Sequence, residues 1–240
     1  MPAHEPGSLG GTAPSDGGLR VLAARALELV RDGDIVGLGS GRAATAFLRA
    51  LAGRVREGLR VRGVPTSEAT AALARQLGVP LAGLDEAPLA LTVDGADEVD
   101  PRLDLIKGYG GAMLRERIVA AASGRQVILV TAEKLVPALG ARGRLPVEIV
   151  PFALPLCRRR LEALGFPPAV RQAEGRPARS DNGNLLLDCA VGPLQDPAAL
   201  EREIRAIPGV VDTGLFLGTA EIVLVAEGDG VRVLQRARGG

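Results

Sequence analysis

This chain of 240 residues contains a single histidine, His4. It lies within the first 18 residues, a segment rich in Gly, Pro, Ser and Ala for which we predict disorder. Histidine-containing catalytic triads, most zinc enzymes and isomerases that use histidine are therefore disfavoured together. The chemistry of the chain must depend on other side chains.

Aromatic residues and cysteines are also scarce, and neither sign of charge is in excess. One Tyr, four Phe and no Trp make base-stacking platforms poor candidates, and 29 basic against 28 acidic residues indicate no nucleic-acid partner. Cys157 and Cys189 fit no metal-ligand spacing, so we interpret the chain as reduced and cytoplasmic. The sequence has no apolar run long enough to cross a membrane and no signal pattern at its start, so we expect no membrane partner.

Lysine is rare among the basic residues, since Lys107 and Lys134 are the only two of the 29. Arginine has been used at every other position where a positive charge occurs. A compact ammonium in such a chain indicates a site that a planar guanidinium would not fit. The alternative is that two lysines occupy exposed positions by chance.

Strand and helix patterns alternate along the first 143 residues. Buried strands are predicted at 35–38, 59–64, 89–93 and 126–130, and helices at 19–31, 43–51, 68–77 and 112–122, the third capped by Thr66 and Ser67. This α/β order predicts a Rossmann-like parallel sheet with helices on both faces.

The pattern changes near Pro146. The predicted elements are then a strand (147–150), a helix (155–164), two strands (169–172 and 185–190), a helix (197–206) and a strand (210–217), an order typical of a smaller α+β domain of the split βαβ, ferredoxin-like type. Two further strands, at 222–226 and 231–234, are predicted to return to the first sheet or its edge. We therefore predict a Rossmann-like catalytic domain from 19–143 and 218–240, and a small domain from 144–217.

The first candidate binding element is the glycine-rich turn 37–41 (GLGSG), between a predicted strand and a predicted helix. Its backbone N–H groups and the helix N-terminus favour an anion. A dinucleotide fingerprint fails because Arg42 stands where the third glycine is required, and the GK[ST] of a nucleotide P-loop is absent. A small phosphate with Arg42 as counter-ion fits better, although a turn that serves only packing stays open.

An acidic segment, DGADEVD (94–100), follows the strand at 89–93. Ligands bind beyond the carboxyl ends of parallel strands, where Asp94 is expected. Four acids in seven residues suggest either a magnesium or calcium site or acid–base chemistry, and the spacing excludes an EF-hand. Lys107, in the glycine-rich loop 106–111, would oppose a cation beside the aspartates and favours metal-free chemistry.

Glu116 is the candidate general base. It lies early in a predicted helix, its own helix offers no cation three or four residues away, and it shares a face with Met113 and Ala120. Such a carboxylate tends to have a raised pKa, as a general base requires, although a solvated surface glutamate stays possible. Proton transfer next to a carbonyl requires a base and a group that stabilises the enediolate oxygen. A glutamate, a lysine and two aspartates around an anion site fit that reaction, with the ammonium stabilising the oxygen.

Taken together, these segments resemble the type A ribose-5-phosphate isomerase family. The resemblance extends from about Leu19 to the C-terminus, and the segments that carry it are DGADE (94–98), LIKG (105–108) and LRE (114–116), with further matches at VPTS (64–67), LPVEIVPF (145–152), DNGN (181–184) and IPGVV (207–211). It implies interconversion of ribose 5-phosphate and ribulose 5-phosphate in the non-oxidative pentose phosphate pathway, without cofactor or metal. It also implies a homodimer or homotetramer.

The resemblance implies roles for four catalytic residues. Glu116 matches the base that moves the proton between C1 and C2, and Lys107 matches the residue that stabilises the oxyanion. Asp94 and Asp97 match the aspartates that open the sugar ring and hold its hydroxyls. The residues expected to bind the sugar phosphate are Ser40, Gly41, Arg42, Ala43, Gly108, Tyr109, Gly110 and Lys134.

The chain departs from the family pattern on the substrate-holding side. The family's phosphate turn reads Gly-Thr-Gly-Ser-Thr, whereas Gly39-Ser40-Gly41-Arg42-Ala43 stands here. Tyr109 replaces a glycine, and Arg20 is the nearest match to a lysine of the first helix. An isomerase of a different aldose phosphate is therefore one alternative. A sugar-phosphate-sensing domain and a CoA-transferase-like activity are others, disfavoured because the acid–base set is complete and no CoA-transferase glutamate motif is evident.

Overall fold

The computed structural model describes residues 16–86 and 88–237, so most of the segment predicted to be disordered lies outside the described residues. Within them there are six α-helices: α1 (Asp16–Leu27), α2 (Arg42–Arg56), α3 (Glu68–Leu77), α4 (Met113–Ala121), α5 (Leu154–Ala163) and α6 (Pro197–Arg205). The strands of the same residues are β1 (Ile35–Leu38), β2 (Arg62–Pro65), β3 (Leu91–Gly95), β4 (Glu98–Val99), β5 (Leu105–Ile106), β6 (Gln126–Thr131), β7 (Arg144–Ile149), β8 (Pro168–Val170), β9 (Gln172–Ala173), β10 (Arg176–Pro177), β11 (Leu185–Ala190), β12 (Val210–Thr213), β13 (Leu215–Phe216), β14 (Ile222–Glu227) and β15 (Gly230–Gln235). Short 3₁₀ helices cover Leu84–Glu86, Ala132–Lys134 and Pro151–Ala153.

The largest sheet has six strands in the order β15-β14-β6-β3-β1-β2. Five of them are parallel, and β15 is antiparallel at one edge. The strand order reverses at β1, because β2 lies on one side of it and β3 on the other. A crevice forms beyond the carboxyl ends of strands at such a point, and ligands bind there. The predicted parallel sheet, and the return of the last two strands to it, are confirmed.

Both faces of this sheet are buried, as its strands of consecutive apolar residues require. Along β6, Val127 and Leu129 pack in a core with α1, α2 and α3, whereas Ile128 and Val130 pack in a second core with Met113 of α4. The predicted helices on both faces are therefore confirmed. None of the helices in the described part of the chain combines the length and the apolar character that crossing a bilayer requires.

Residues 144–213, here called the antiparallel unit, form the second layer. Its four-stranded sheet has the order β12-β7-β11-β8, with every neighbouring pair antiparallel. Helices α5 and α6 contribute Leu161 and Ile204 to the core beneath it. The order β7-α5-β8-β11-α6-β12 is the predicted split βαβ arrangement. The division of the chain into two domains, with boundaries at 143/144 and 217/218, stays a prediction.

Several element boundaries differ from the prediction. Helix α1 begins at Asp16, three residues before the predicted start, and ends at Leu27 instead of residue 31. The loop predicted after β3 contains the hairpin β4–β5, whose two-residue strands are too short to produce a periodic pattern. The single strand predicted at 210–217 is broken at Gly214 into β12 and β13. A Cβ at Gly214 would lie 2.4 Å from the carbonyl oxygen of Lys107, so only glycine permits this approach.

Candidate active site

The candidate site lies where β1 and β3 end. The N–H of Ser40, after β1, donates a hydrogen bond of 3.1 Å to Oδ1 of Asp94 in β3. Beside this contact is a cavity of about 290 Å³. It is lined by Leu19, Ser40, Gly41, Arg42, Ala43, Gly95, Ala96, Asp97, Lys107, Gly108, Gly110, Glu116, Leu129, Val130, Thr131, Glu133 and Lys134. The structure thus brings ten of the twelve predicted site residues to one cavity.

The glycine turn has two positions that only glycine tolerates. A Cβ at Gly39 would lie 2.3 Å from Oδ1 of Asp94 and 2.6 Å from its Cα, so the turn can approach β3 only without a side chain. Gly41 has a φ of 88° and precedes α2 without any side-chain cap. The first N–H groups of a helix have no intrahelical acceptor, so the start of α2 offers donors and a positive dipole end to the cavity.

The hydroxyl of Ser40 is held by neighbouring hydroxyls. Its Oγ is 2.8 Å from Oγ1 of Thr66 and donates to Oγ of Ser67 at 3.0 Å. Thr70 completes the cluster, since its hydroxyl donates to the carbonyl oxygen of Gly39 at 3.2 Å. These hydroxyls fix the turn from the side of α3. The sequence suggested the capping role of Ser67, which accepts from the N–H of Thr70, but not this cluster.

Lys107 is buried at the inner end of the cavity, with 3% of its side chain exposed. Its Nζ lies 2.9 Å from Oδ2 of Asp94 and 3.1 Å from Oε2 of Glu116, and it donates to the carbonyl oxygen of Gly95. Three acceptors therefore surround an ammonium that has three N–H bonds. Lys107 therefore does not occupy an exposed position, and its role at the site stays a prediction.

Glu116 lies in the first turn of α4 and is also buried, with 8% of its side chain exposed. The surface-glutamate alternative is therefore wrong. Oε2 accepts no aligned hydrogen bond from any described residue, although the Lys107 ammonium is near. This oxygen is consequently available to take up a proton.

Burial and neighbouring charges change the proton affinities of these groups. Burial, reinforced by the Asp94 carboxylate, raises the pKa of Glu116 to about 8 against the opposing effect of Lys107. Burial alone would lower the pKa of Lys107, but Asp94 and Glu116 more than offset it and raise that pKa. Burial also raises the pKa of Asp97, although the Tyr109 N–H and Lys107 oppose this. A carboxyl that titrates near neutral pH suits general acid–base catalysis.

The four acids of the segment 94–100 have different roles in the structure. Glu98 accepts hydrogen bonds from the N–H groups of Gly140 and Arg142 (2.6 and 2.8 Å), and Asp100 closes the β4–β5 hairpin. Asp94 is buried beneath the cavity and is not among its lining residues, whereas Asp97 lines it. No three His, Cys, Asp or Glu side chains among the described residues are grouped so that they could hold a metal ion.

Tyr109 differs from the expectation. Its N–H donates to Oδ2 of Asp97 at 2.9 Å, but its ring packs against the core of the antiparallel unit and beneath the Arg144 guanidinium, 4.5 Å from the ring centroid. The ring does not line the cavity, so Tyr109 supports Asp97 through its backbone. Arg20 likewise faces a separate groove between α1 and α2. Lys134 and Arg42 do line the cavity.

Sequence reasoning missed other residues at the site. Thr131 and Glu133, at the end of β6 and in the following 3₁₀ helix, line the cavity and are joined by a side-chain hydrogen bond. Their position could have been expected, because β6 lies next to β3 and its carboxyl end meets the same edge. Phe216 was also missed, and its ring centroid is 5.6 Å from Nζ of Lys107.

Comparisons with known proteins find relatives that cover most of the chain. A family model described as ribose 5-phosphate isomerase A (phosphoriboisomerase A) matches residues 62–230. The ribose-5-phosphate isomerase A of Roseiflexus sp. (strain RS-1) is 55% identical over 213 residues, which are 87% of this chain and 91% of the relative. That of Thermomicrobium roseum is 53% identical over 216 residues, 89% of this chain and 91% of the relative.

Solved structures agree in fold. Ribose 5-phosphate isomerase A from Methanocaldococcus jannaschii has a TM-score of 0.88 and 38% identity, over 92% of this chain and all of that one. A D-ribose-5-phosphate isomerase in complex with phospho-erythronic acid has a TM-score of 0.89 and 33% identity, over 93% of this chain and all of that one.

Proposed function

Because this chain belongs to the ribose 5-phosphate isomerase A family, we propose that the cavity beyond β1 and β3 is where it interconverts ribose 5-phosphate and ribulose 5-phosphate. The chain is an aldose–ketose isomerase. One observation supports this location above the others. A buried ammonium lies within 3.1 Å of a buried glutamate oxygen that has no aligned hydrogen bond, and both residues line a cavity.

The proton transfer follows from the two buried groups. The Glu116 carboxylate takes the proton from C2 of the open-chain aldose and returns it to C1. The hydroxyl proton of O2 moves to O1 in the same conversion, which leaves the carbonyl at C2 of the ketose. Negative charge develops on the substrate oxygens in the enediolate. Lys107 stabilises that charge, and a fixed ammonium in a site shielded from water acts strongly on the transition state.

The two aspartates have separate roles in this proposal. Asp97 lines the cavity and has a raised pKa, which suits it to move the proton that opens the sugar ring. Asp94 lies below the cavity and binds Nζ of Lys107 and the N–H of Ser40. It therefore holds the ammonium and the turn in place and keeps Lys107 charged.

The phosphate binds at the start of α2 in this proposal. The turn around Gly41 leads into the positive end of the helix, and Arg42 and Lys134 add cationic side chains to the rim. Phospho-erythronic acid, bound by the similar solved isomerase, has a phosphate and a carboxylate. The carboxylate carries negative charge on two oxygens, as the enediolate does. Phospho-erythronic acid is therefore the inhibitor to test.

The small-molecule partner is therefore a sugar phosphate. We also propose a cytoplasmic location and assembly into a homodimer or homotetramer. An exposed apolar site on the antiparallel unit supports the assembly. Phe152 is 95% exposed and Val150 is 42% exposed, which a monomer would leave in water. Size-exclusion chromatography with light scattering at micromolar concentration should give a multimer, and a monomer would contradict the assembly.

A ketose-formation assay tests the proposed reaction. Ribose 5-phosphate and several other aldose phosphates are compared at equal concentration, with EDTA present throughout. Ribose 5-phosphate should have the highest kcat/KM, and EDTA should leave its turnover unchanged. The altered turn, with Arg42 and Ala43 on the cavity, favours one second candidate, which is isomerisation of a different aldose phosphate. A higher kcat/KM for another sugar would establish that candidate, and no turnover of any sugar would reject both.

A further inference from the structure

Arg117, the residue after Glu116 in α4, is bound to the segment 212–216. Its Nε donates to Oδ2 of Asp212 at 2.7 Å, and Asp212 is almost completely buried. Its Nη2 donates to the carbonyl oxygens of Thr213 and Leu215, at 2.9 and 2.8 Å. The guanidinium also lies 4.1 Å from the ring centroid of Phe216. One side chain thus contacts four of the five consecutive residues 212–216.

The same segment holds Lys107 from its other side. The N–H of Lys107 donates to the carbonyl oxygen of Gly214 at 2.9 Å, between the two carbonyls that Arg117 binds. The missing side chain of Gly214 permits this approach, since a Cβ would lie 2.4 Å from the Lys107 carbonyl oxygen. Phe216 completes the link, because its ring faces both Nζ of Lys107 and the Arg117 guanidinium.

The base and the ammonium belong to different elements. Glu116 is on α4 and Lys107 is in the loop after β5, and their side chains meet at 3.1 Å. Each element is attached to the segment 212–216, the first through Arg117 and the second through the Lys107 backbone. A shift of α4 relative to this segment would change the distance between the two charged groups directly.

We propose that Arg117 is a positioning residue that fixes Glu116 relative to Lys107 by fastening α4 to the segment 212–216. The proposal deepens the proposed function and depends on the roles given there to Glu116 and Lys107. Arg117 is not among the residues that line the cavity, so it acts through these two residues and not on the substrate.

Arginine suits this position because its planar fork donates in several fixed directions at once. Lysine could keep the charge opposite Asp212, but one ammonium on a flexible stem cannot hold the carboxylate and both carbonyls in the same geometry. Arg117→Gln removes the charge and most of the donors, whereas Arg117→Lys removes the fork alone.

Arg236 offers a matched control. Its guanidinium also donates to one carboxylate and two backbone carbonyls. The distances are 3.0 Å to Oδ1 of Asp104, 3.0 Å to the carbonyl oxygen of Ala220 and 2.9 Å to that of Leu103. It has no contact with Glu116 or with the segment 212–216 among its hydrogen bonds. Arg236→Gln should therefore cost stability to a similar degree without changing the catalytic pair.

The experiment measures kcat and KM for ribose 5-phosphate, binding of phospho-erythronic acid and thermal unfolding for the wild type and these variants. Arg117→Gln should lower kcat by about tenfold or more, because an error of about 1 Å in a catalytic group costs up to about a hundredfold. Its KM and its inhibitor affinity should change by less than about threefold, as expected when an interaction specific to the transition state is lost. Arg117→Lys should fall between Arg117→Gln and the wild type.

Three results would overturn the proposal: a folded Arg117→Gln with the wild-type kcat, a loss confined to KM, or an equal loss of kcat in Arg236→Gln. Should Arg117→Gln not fold, Arg117→Lys decides, since a wild-type kcat in that variant also overturns it. Failure of the proposed function looks different. In that case the wild type itself would not convert ribose 5-phosphate, or Glu116→Gln would keep its activity.

Discussion

Replacing Lys107 by arginine tests whether the site requires a compact ammonium. The charge is preserved, but the ammonium has three acceptors around it and only 3% of the side chain is exposed. A guanidinium is larger and planar, so it must displace Asp94, Glu116 or the Gly95 carbonyl. Overpacking of a buried site costs about 1–3 kcal/mol, and each kcal/mol lowers Tm by about 2–4 °C in a chain of this size.

The effect on turnover should be larger than the effect on stability. Loss of one preorganised donor at a developing oxyanion lowers kcat by about 10²–10³. We therefore expect Lys107→Arg to fold, to melt a few degrees lower and to lose at least about a hundredfold in kcat. Lys134→Arg is the matched control, because the second lysine lies at the rim of the same cavity and is only half-buried. It should change KM by a few-fold and leave kcat near the wild-type value.

The assay couples ketose formation to a recorded absorbance change, and differential scanning fluorimetry reports Tm on the same samples. A near-normal kcat in Lys107→Arg would refute the reasoning, since any cation would then serve. An equal loss of kcat in Lys134→Arg would also refute it, because the loss would not depend on the buried position.

The remaining predictions concern pH and the glycine turn. A base must be deprotonated, so kcat/KM should rise with pH through the raised pKa of Glu116, about 8. Because the pKa of Lys107 is also raised, the ammonium should stay charged over this rise and cause no fall within it. A rise centred near pH 4.5, the ordinary glutamate value, would contradict this. Gly39→Ala should lower the free energy of unfolding by about 1–3 kcal/mol and reduce activity, because the Cβ would meet Asp94 at 2.3 Å. The control is Gly53→Ala in α2, where the added Cβ would meet no atom within 4 Å, and it should raise the free energy of unfolding by up to about 1 kcal/mol. Equal Tm values for the two variants would argue against a special role for Gly39.

Much of the fold follows from local patterns in the sequence. The strand β1 and the strand β11 have the predicted bounds, because runs of apolar residues end at turn residues on both sides. Ser67 caps α3 as predicted, since a serine hydroxyl satisfies one of the first N–H groups of a helix. The hairpin β4–β5 was missed because its two-residue strands are too short to give a periodic pattern. The break at Gly214 was missed because it depends on the pairing of β13 with β5, about a hundred positions away in the chain.

The membership of the site could be predicted better than its geometry. Lys107 was singled out by composition alone, and its burial beside Asp94 and Glu116 agrees with that choice. The placement of Asp94 beneath the cavity, and of the Tyr109 ring away from it, could not be read from the sequence. The first depends on the close approach of Gly39 and Ser40 to β3, and the second on the packing of the ring against the antiparallel unit. Arg117 was missed for the same reason, since its partners become neighbours only in the folded chain.

Solvent exchange in Glu116→Gln tests the central claim most directly. The glutamine keeps the shape of the side chain but cannot accept the proton. Substrate is incubated in D₂O with the wild type or the variant, and deuterium at the reacting carbons is followed by NMR. Binding of phospho-erythronic acid is measured in parallel to show that the cavity is intact. We predict that the variant binds the inhibitor but forms no ketose and incorporates no deuterium. Deuterium incorporation at a rate near that of the wild type would contradict the assignment of Glu116 as the base.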